Sequence, residues 1–115
     1  MNLKIWFLET RPQFLILSVI LAFLGTAIAW NTMNVFNPSI AILAGLGLVL
    51  AHASVNIIND WFDFRSGIDQ NTPRTPFSGG SGILPAQKMT PRQVLWFGLV
   101  SFSVICIVGV YFVIR

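Results

Sequence analysis

The sequence predicts an all-α, integral membrane helical bundle, and three observations predict it. Hydrophobic residues make up 55% of the 115 and charged residues only 10%, with a mean hydropathy of +0.75, whereas a soluble domain carries about 25% charge. The few charges are also segregated, with none among the 48 residues from Pro12 to Asn59 and none among the 22 from Gln93 to Ile114. Finally, three apolar segments each reach the roughly 20 residues that a helix needs to cross a hydrocarbon core of about 30 Å.

The first span is expected from about Pro12 to Trp30, after Lys4 and Arg11. The apolar run that opens the chain is too long for a signal peptide, and a second span follows it. That second span runs from Pro38 to about Trp61 and the third from Pro91 to about Ile114. Proline suits the first turn of each helix, where its missing N–H costs nothing, and Asn37 and Thr90 are good caps immediately before two of those prolines. Trp6, Trp30, Trp61 and Trp96 fall near span ends, where indole rings favour the headgroup region. The connector from Asn31 to Asn37 is uncharged, while the loop from about Phe64 to Thr90 carries Arg65, Asp69, Arg74 and Lys88. The excess of Lys and Arg therefore predicts a multi-pass cell-membrane protein with its N-terminus and long loop in the cytoplasm. A net charge of +3 from scattered basic residues flanking spans implies the bilayer as partner, and no nucleic acid. The single cysteine, Cys106, forms no intrachain disulfide. The long loop is either a functional segment or a flexible linker, given Pro73, Pro76, Pro85 and the run Ser78-Gly79-Gly80-Ser81-Gly82.

Chemistry concentrates where the second span ends. Three of the four acidic residues, Asp60, Asp63 and Asp69, lie there. His52, Asn56, Asn59, Asp60 and Asp63 follow helical spacing, so they form one polar stripe on a helix leaving the membrane. Carboxylates one turn apart repel each other, and near the bilayer each also costs desolvation. A hard divalent cation offsets both, and Mg²⁺ commonly binds one or two carboxylates together with substrate phosphates. Asn56 and Asn59 add amide oxygens on the same face. The competing explanation, a solvated helix end paired with Arg65 or Lys88, is weakened because acids at a helix C-terminus oppose the macrodipole. His52, deeper on the stripe, suits a hydrogen-bonding or pocket-lining role better than a ligand role. Arg65 and Arg74 offer guanidinium groups that bind phosphate oxygens in pairs, whereas Lys88 and Arg92 are accounted for by topology.

The pattern Asn56-x-x-Asn59-Asp60-x-x-Asp63, followed by Ser66-Gly67-x-Asp69, resembles the first aspartate-rich motif of the UbiA superfamily of membrane prenyltransferases. It is most similar to the branch that prenylates 1,4-dihydroxy-2-naphthoate in menaquinone synthesis. Thr10-Arg11-Pro12 and Leu24-Gly25-Thr26-Ala27 are similar to that branch too. The resemblance implies a bundle of about nine spans, of which these are three. It implies Mg²⁺ held by two acidic motifs that grip the diphosphate of a polyprenyl diphosphate. The allylic C–O bond ionises there and an aromatic acceptor attacks the cation. Carried over, Asn56, Asn59, Asp60 and Asp63 would be metal ligands, Asp69 would complete the motif, and Arg65 and Arg74 would contact the diphosphate. Asp69 follows Asp63 by six residues rather than the four common elsewhere, a spacing the menaquinone branch shares. The loop from Thr75 to Gly82 departs from the "RPxxSG" run of other branches.

No acidic residue follows Asp69, so the family's second motif is missing. Residues 1–115 are therefore expected to be the N-terminal part of such an enzyme, inactive alone, with pairing to a complementary C-terminal half left open. Two rivals remain: a CDP-alcohol phosphotransferase, whose D-G-x-x-A-R core is not matched by Asp63-Phe64-Arg65, and a non-catalytic three-span membrane protein.

Overall fold

The computed structural model describes all residues from Met1 to Arg115. A short helix α1 (Leu3–Glu9) precedes the three long ones, α2 (Pro12–Met33), α3 (Pro38–Ser66) and α5 (Pro91–Ile114), with a single turn, α4 (Ile68–Asn71), after α3. There are no strands, and α2, α3 and α5 are each long and apolar enough to cross a membrane. They run up, down and up in a bundle of 50 × 26 × 25 Å, with α3 in the middle, packed on α2 and α5.

The local sequence explains the boundaries. Pro12, Pro38 and Pro91 open their helices. Asn37 caps α3 by accepting from the Ile40 N–H at 3.1 Å, and Thr90 and Gln93 form a reciprocal capping box on α5. Residues Asn34 and Gly67, both in the left-handed region, stop α2 and α3. As a result α2 runs three residues beyond Trp30 and α3 five beyond Trp61, to Ser66. At 1.5 Å per residue, the 29 residues of α3 span about 43 Å. That exceeds a hydrocarbon core of about 30 Å, so its last turns carry the acidic residues out of the apolar layer.

The core lies at this end. Ile57 and Val94 are fully buried, and Ile83, Leu84 and Met89 from the long loop pack on them, flanked by Ile5, Trp6, Trp61, Phe64 and Phe97. The loop is therefore a plug driven in by its own apolar residues. Trp6 meets Phe97 edge to face at 4.9 Å, bringing α1 against α5. Gly98 lets α5 approach α3 closely, since a Cβ there would stand 2.6 Å from Ile58 Cγ1. Within the membrane layer, buried Ser18 on α2 and His52 on α3 share a hydrogen bond of 2.7 Å, the role the spacing suggested for His52.

Candidate active site

The site assembles where α1, the end of α3 and the plug meet. Asp60 faces inward and is 1% exposed. Ser81 reaches it twice, donating its N–H to Oδ1 and its hydroxyl to Oδ2, both at 2.7 Å. Such short bonds to a carboxylate are about twice as strong as neutral ones and offset part of the cost of burying the acid. The turn that presents Ser81 depends on glycine: Gly79, Gly80 and Gly82 all have positive φ. A Cβ on Gly80 would overlap Asp69 Oδ2 and stand 2.7 Å from Asp60 Oδ1, so the bare backbone is wedged between two carboxylates. Gly82 lies under the guanidinium of Arg74, which donates from Nη2 to the Ser81 carbonyl.

The remaining predicted residues divide. Asn59 donates from Nδ2 to Asp63 Oδ2 at 2.8 Å, forming a pair on the outer side of the helix end, with Asn59 exposed and Asp63 half-buried. Asn56 donates its Nδ2 to the Thr10 carbonyl at 3.0 Å, tying α3 to the turn before α2. Arg65 is exposed, its guanidinium 5.1 Å over the ring of Trp61. The polar stripe is therefore not uniform: Asp60 and Asp69 meet the glycine turn, Asn59 and Asp63 pair beside it, Asn56 is a tether, and Arg65 lies apart. Burial and the charges of Asp60 and Asp63 push the Asp69 carboxyl above its usual range, with Arg11 acting in the opposite direction.

Sequence reasoning missed Glu9. It is fully buried, and its Oε2 receives the Ser81 hydroxyl at 2.9 Å. Burial, then repulsion from Asp60, pushes its pKa up to about 8, while Ser81 and Arg11 pull it down. Its Oε1 has no partner. The available signal was arithmetic: three of four acids belong to the motif, and the fourth sits two residues before Arg11-Pro12. Arg11 has φ 55 and is held by its neighbours, with its guanidinium 4.6 Å over Phe14 and Nη2 3.5 Å from the Phe77 carbonyl. Gln13 adds a bond of 2.9 Å to the Pro76 carbonyl. The turn before α2 thereby holds the loop.

These donors are of the kind a hard cation takes. They are carboxylate, amide and hydroxyl oxygens without sulfur or imidazole, and the buried Glu9 Oε1 has no hydrogen-bond partner. As placed, no three acidic or imidazole side chains close on one point that would hold a metal, and the Ser81 hydroxyl stands between Glu9 and Asp60.

The family model described as the UbiA prenyltransferase family matches residues 18–114. The chain belongs to the UbiA prenyltransferase family. Among similar proteins, 1,4-dihydroxy-2-naphthoate octaprenyltransferase of Escherichia coli K12 is 29% identical over 106 residues, 91% of this chain and 34% of that protein. The UbiA prenyltransferase domain-containing protein 1 of Gallus gallus is 26% identical over 106 residues, 90% of this chain and 30% of the relative. Its Rattus norvegicus counterpart is 24% identical over 104 residues, 90% and 29% respectively. This UbiA chain thus spans only about a third of the length of these relatives. No solved structure matches it.

Proposed function

We propose that this UbiA chain supplies the first aspartate motif of an enzyme transferring a prenyl group from a polyprenyl diphosphate to an aromatic acceptor. The acceptor of the proposal is 1,4-dihydroxy-2-naphthoate, which makes the pathway menaquinone synthesis. The observation that carries the reading is the enclosure of Asp60 and Asp69 around the Gly80–Ser81 turn at a span end, with Asp63 and Asn59 beside them. The similarity to the naphthoate octaprenyltransferase supports the choice of acceptor.

In this reading Asp60, Asp63 and Asn59, with Asp69, would hold Mg²⁺, and the bound cation would supply positive charge to stabilise a departing diphosphate. The protein's own groups do the rest. Ser81 and Gly80 fix the carboxylates, so little reorganisation is needed when the donor arrives. Arg74, held over Gly82 at the mouth of the turn, offers a guanidinium to diphosphate oxygens, and Arg65 is the second basic group within reach of the headgroup layer. The buried plug of Ile83, Leu84 and Met89 keeps water from the inner side of the motif. The N-terminus and the loop share one end of the bundle, which the proposal assigns to the cytoplasm on the Lys and Arg distribution.

The test is transfer of radiolabelled polyprenyl diphosphate to 1,4-dihydroxy-2-naphthoate and to 4-hydroxybenzoate, in membranes carrying the full-length chain with and without Mg²⁺. Mg²⁺-dependent labelling of the naphthoate alone is the expected result. Labelling of 4-hydroxybenzoate alone would replace the acceptor, and metal-independent labelling would remove the role given to the carboxylates.

A further inference from the structure

We propose that His52, oriented by Ser18, is the group that recognises a ring hydroxyl of the aromatic acceptor. The inference rests on the acceptor reading above. Its starting point is an imidazole where the sequence otherwise avoids ionisable groups: His52 is the only one among the 48 residues from Pro12 to Asn59. Ionisable side chains at that depth are rare and commonly line substrate or proton paths. Ser18, buried on α2, satisfies one ring nitrogen, its Oγ lying 2.7 Å from Nδ1. That bond fixes the ring and leaves Nε2, which makes no hydrogen bond and is not walled in as Glu9 Oε1 and Arg11 Nε are. A tie between α2 and α3 needs only one nitrogen and stabilises a membrane bundle modestly. In a neutral imidazole the second nitrogen accepts or donates according to the tautomer. A phenolic hydroxyl does both, so it pairs with Nε2 in either form.

The placement fits the chemistry. His52, Asn56 and Asp60 succeed one another at i, i+4 and i+8, so they share a face of α3. That face is turned towards α1 and α2, because Asn56 donates to the Thr10 carbonyl, His52 meets Ser18 and Asp60 is enclosed. Eight residues separate His52 from Asp60, about 12 Å along the axis. The reacting carbon of a prenyl diphosphate is bonded to the diphosphate itself, so the aromatic ring stands just to the membrane side of the motif. The two hydroxyls of 1,4-dihydroxy-2-naphthoate lie at opposite ends of one ring. With the 1-hydroxyl and carboxylate towards the basic membrane edge, the 4-hydroxyl points along α3 to His52. Beyond it the face carries Leu48, Gly45 and Ala41, so it offers no further hydrogen-bonding side chain for three turns.

The test compares binding of 1,4-dihydroxy-2-naphthoate, kept anaerobic, with that of 1-hydroxy-2-naphthoate, which lacks the 4-hydroxyl. Calorimetric titration uses full-length protein in lipid nanodiscs with Mg²⁺ and farnesyl S-thiolodiphosphate, an unreactive donor analogue. Wild type is expected to prefer the dihydroxy compound by about tenfold or more. His52→Phe should abolish that preference by weakening the dihydroxy compound alone, with donor-analogue affinity and helical circular dichroism unchanged. Ser18→Ala, which frees the ring without removing it, should reduce the preference, and Ser18→Thr should restore it. A preference that survives His52→Phe, or equal binding of the two compounds by wild type, overturns the inference and leaves the proposed function standing. Equal weakening of both compounds in His52→Phe marks a structural tie and overturns it too. If His52→Phe does not fold, Ser18→Ala decides, and an unchanged preference there overturns the inference. Wild type that binds neither compound removes the proposed acceptor, and this inference with it.

Discussion

The two ends of this bundle are built by different rules. At the end bearing α1, the motif and the plug, residues are enclosed as in a water-soluble domain, including two acids, Glu9 and Asp60. Toward the other end, no residue from 19 to 52 or from 102 to 115 is buried. There Trp30 stacks on Phe36 at 5.4 Å, and small residues such as Ala22, Gly25, Ala41 and Gly45 line a groove between α2 and α3. Solvent explains the contrast. Lipid tails are as apolar as leucine, so burying side chains between helices gains little there, while carboxylates at the membrane edge need enclosure and hydrogen bonds.

The largest effect expected of any single change is at Asp60. In the full-length chain, Asp60→Asn should lower prenyl transfer by about 100-fold or more, the scale on which removing one stabilising group acts. It also replaces one of the two acceptor oxygens that face Ser81 with an amide N–H₂, so hydrogen exchange in residues 79–84 should accelerate. Asp63→Asn should lower transfer without that acceleration, because Asp63 bonds Asn59 rather than the turn. Equal exchange in both variants would erase the division of the motif.

Next comes Gly98→Leu, which forces a side chain into Ile58 and Ile57. Overpacking of this kind costs about 1–3 kcal/mol, read as a lower midpoint of thermal unfolding in detergent. Ser81→Ala comes third. It leaves Asp60 and Glu9 without the shared hydroxyl, a loss of about 1–3 kcal/mol confined to the turn. Trypsin should then cut faster after Arg74 and Lys88, with little change in global melting. Last, Gly25→Ala and Gly109→Ala in this 115-residue chain should stay within about 0.5 kcal/mol of the parent, since a Cβ at either position meets nothing within 4 Å. A destabilisation there matching Gly98→Leu would mean that the two ends do not differ.

The spans were legible because hydrophobic length and charge segregation are local properties of the chain. Proline and cap residues supplied their starts; the ends were missed by three residues in α2 and by more than a turn in α3, where polar residues continue a helix that Gly67 ends. The motif was legible through helical spacing, but its division was not. Which side of α3 is enclosed depends on where residues 79–84 dock, and nothing in residues 52–63 encodes that. Glu9 was the harder case. It meets Ser81 across 72 positions and has no periodic neighbours to mark it. The plug could have been suspected from Ile83-Leu84, an apolar pair between Gly82 and Pro85 in a loop otherwise rich in polar and turn residues.

The order of these partners along the chain has a consequence for biosynthesis. Glu9, Asp60 and Ser81 appear in that sequence, and Val94 closes the core beneath them. A ribosome that has released Val94 has delivered the hydrogen-bond partner of Asp60 and all five buried residues of the core, with α5 still largely in the exit tunnel. The acidic cluster can therefore be shielded while synthesis continues, before any later segment of a longer chain has reached the membrane.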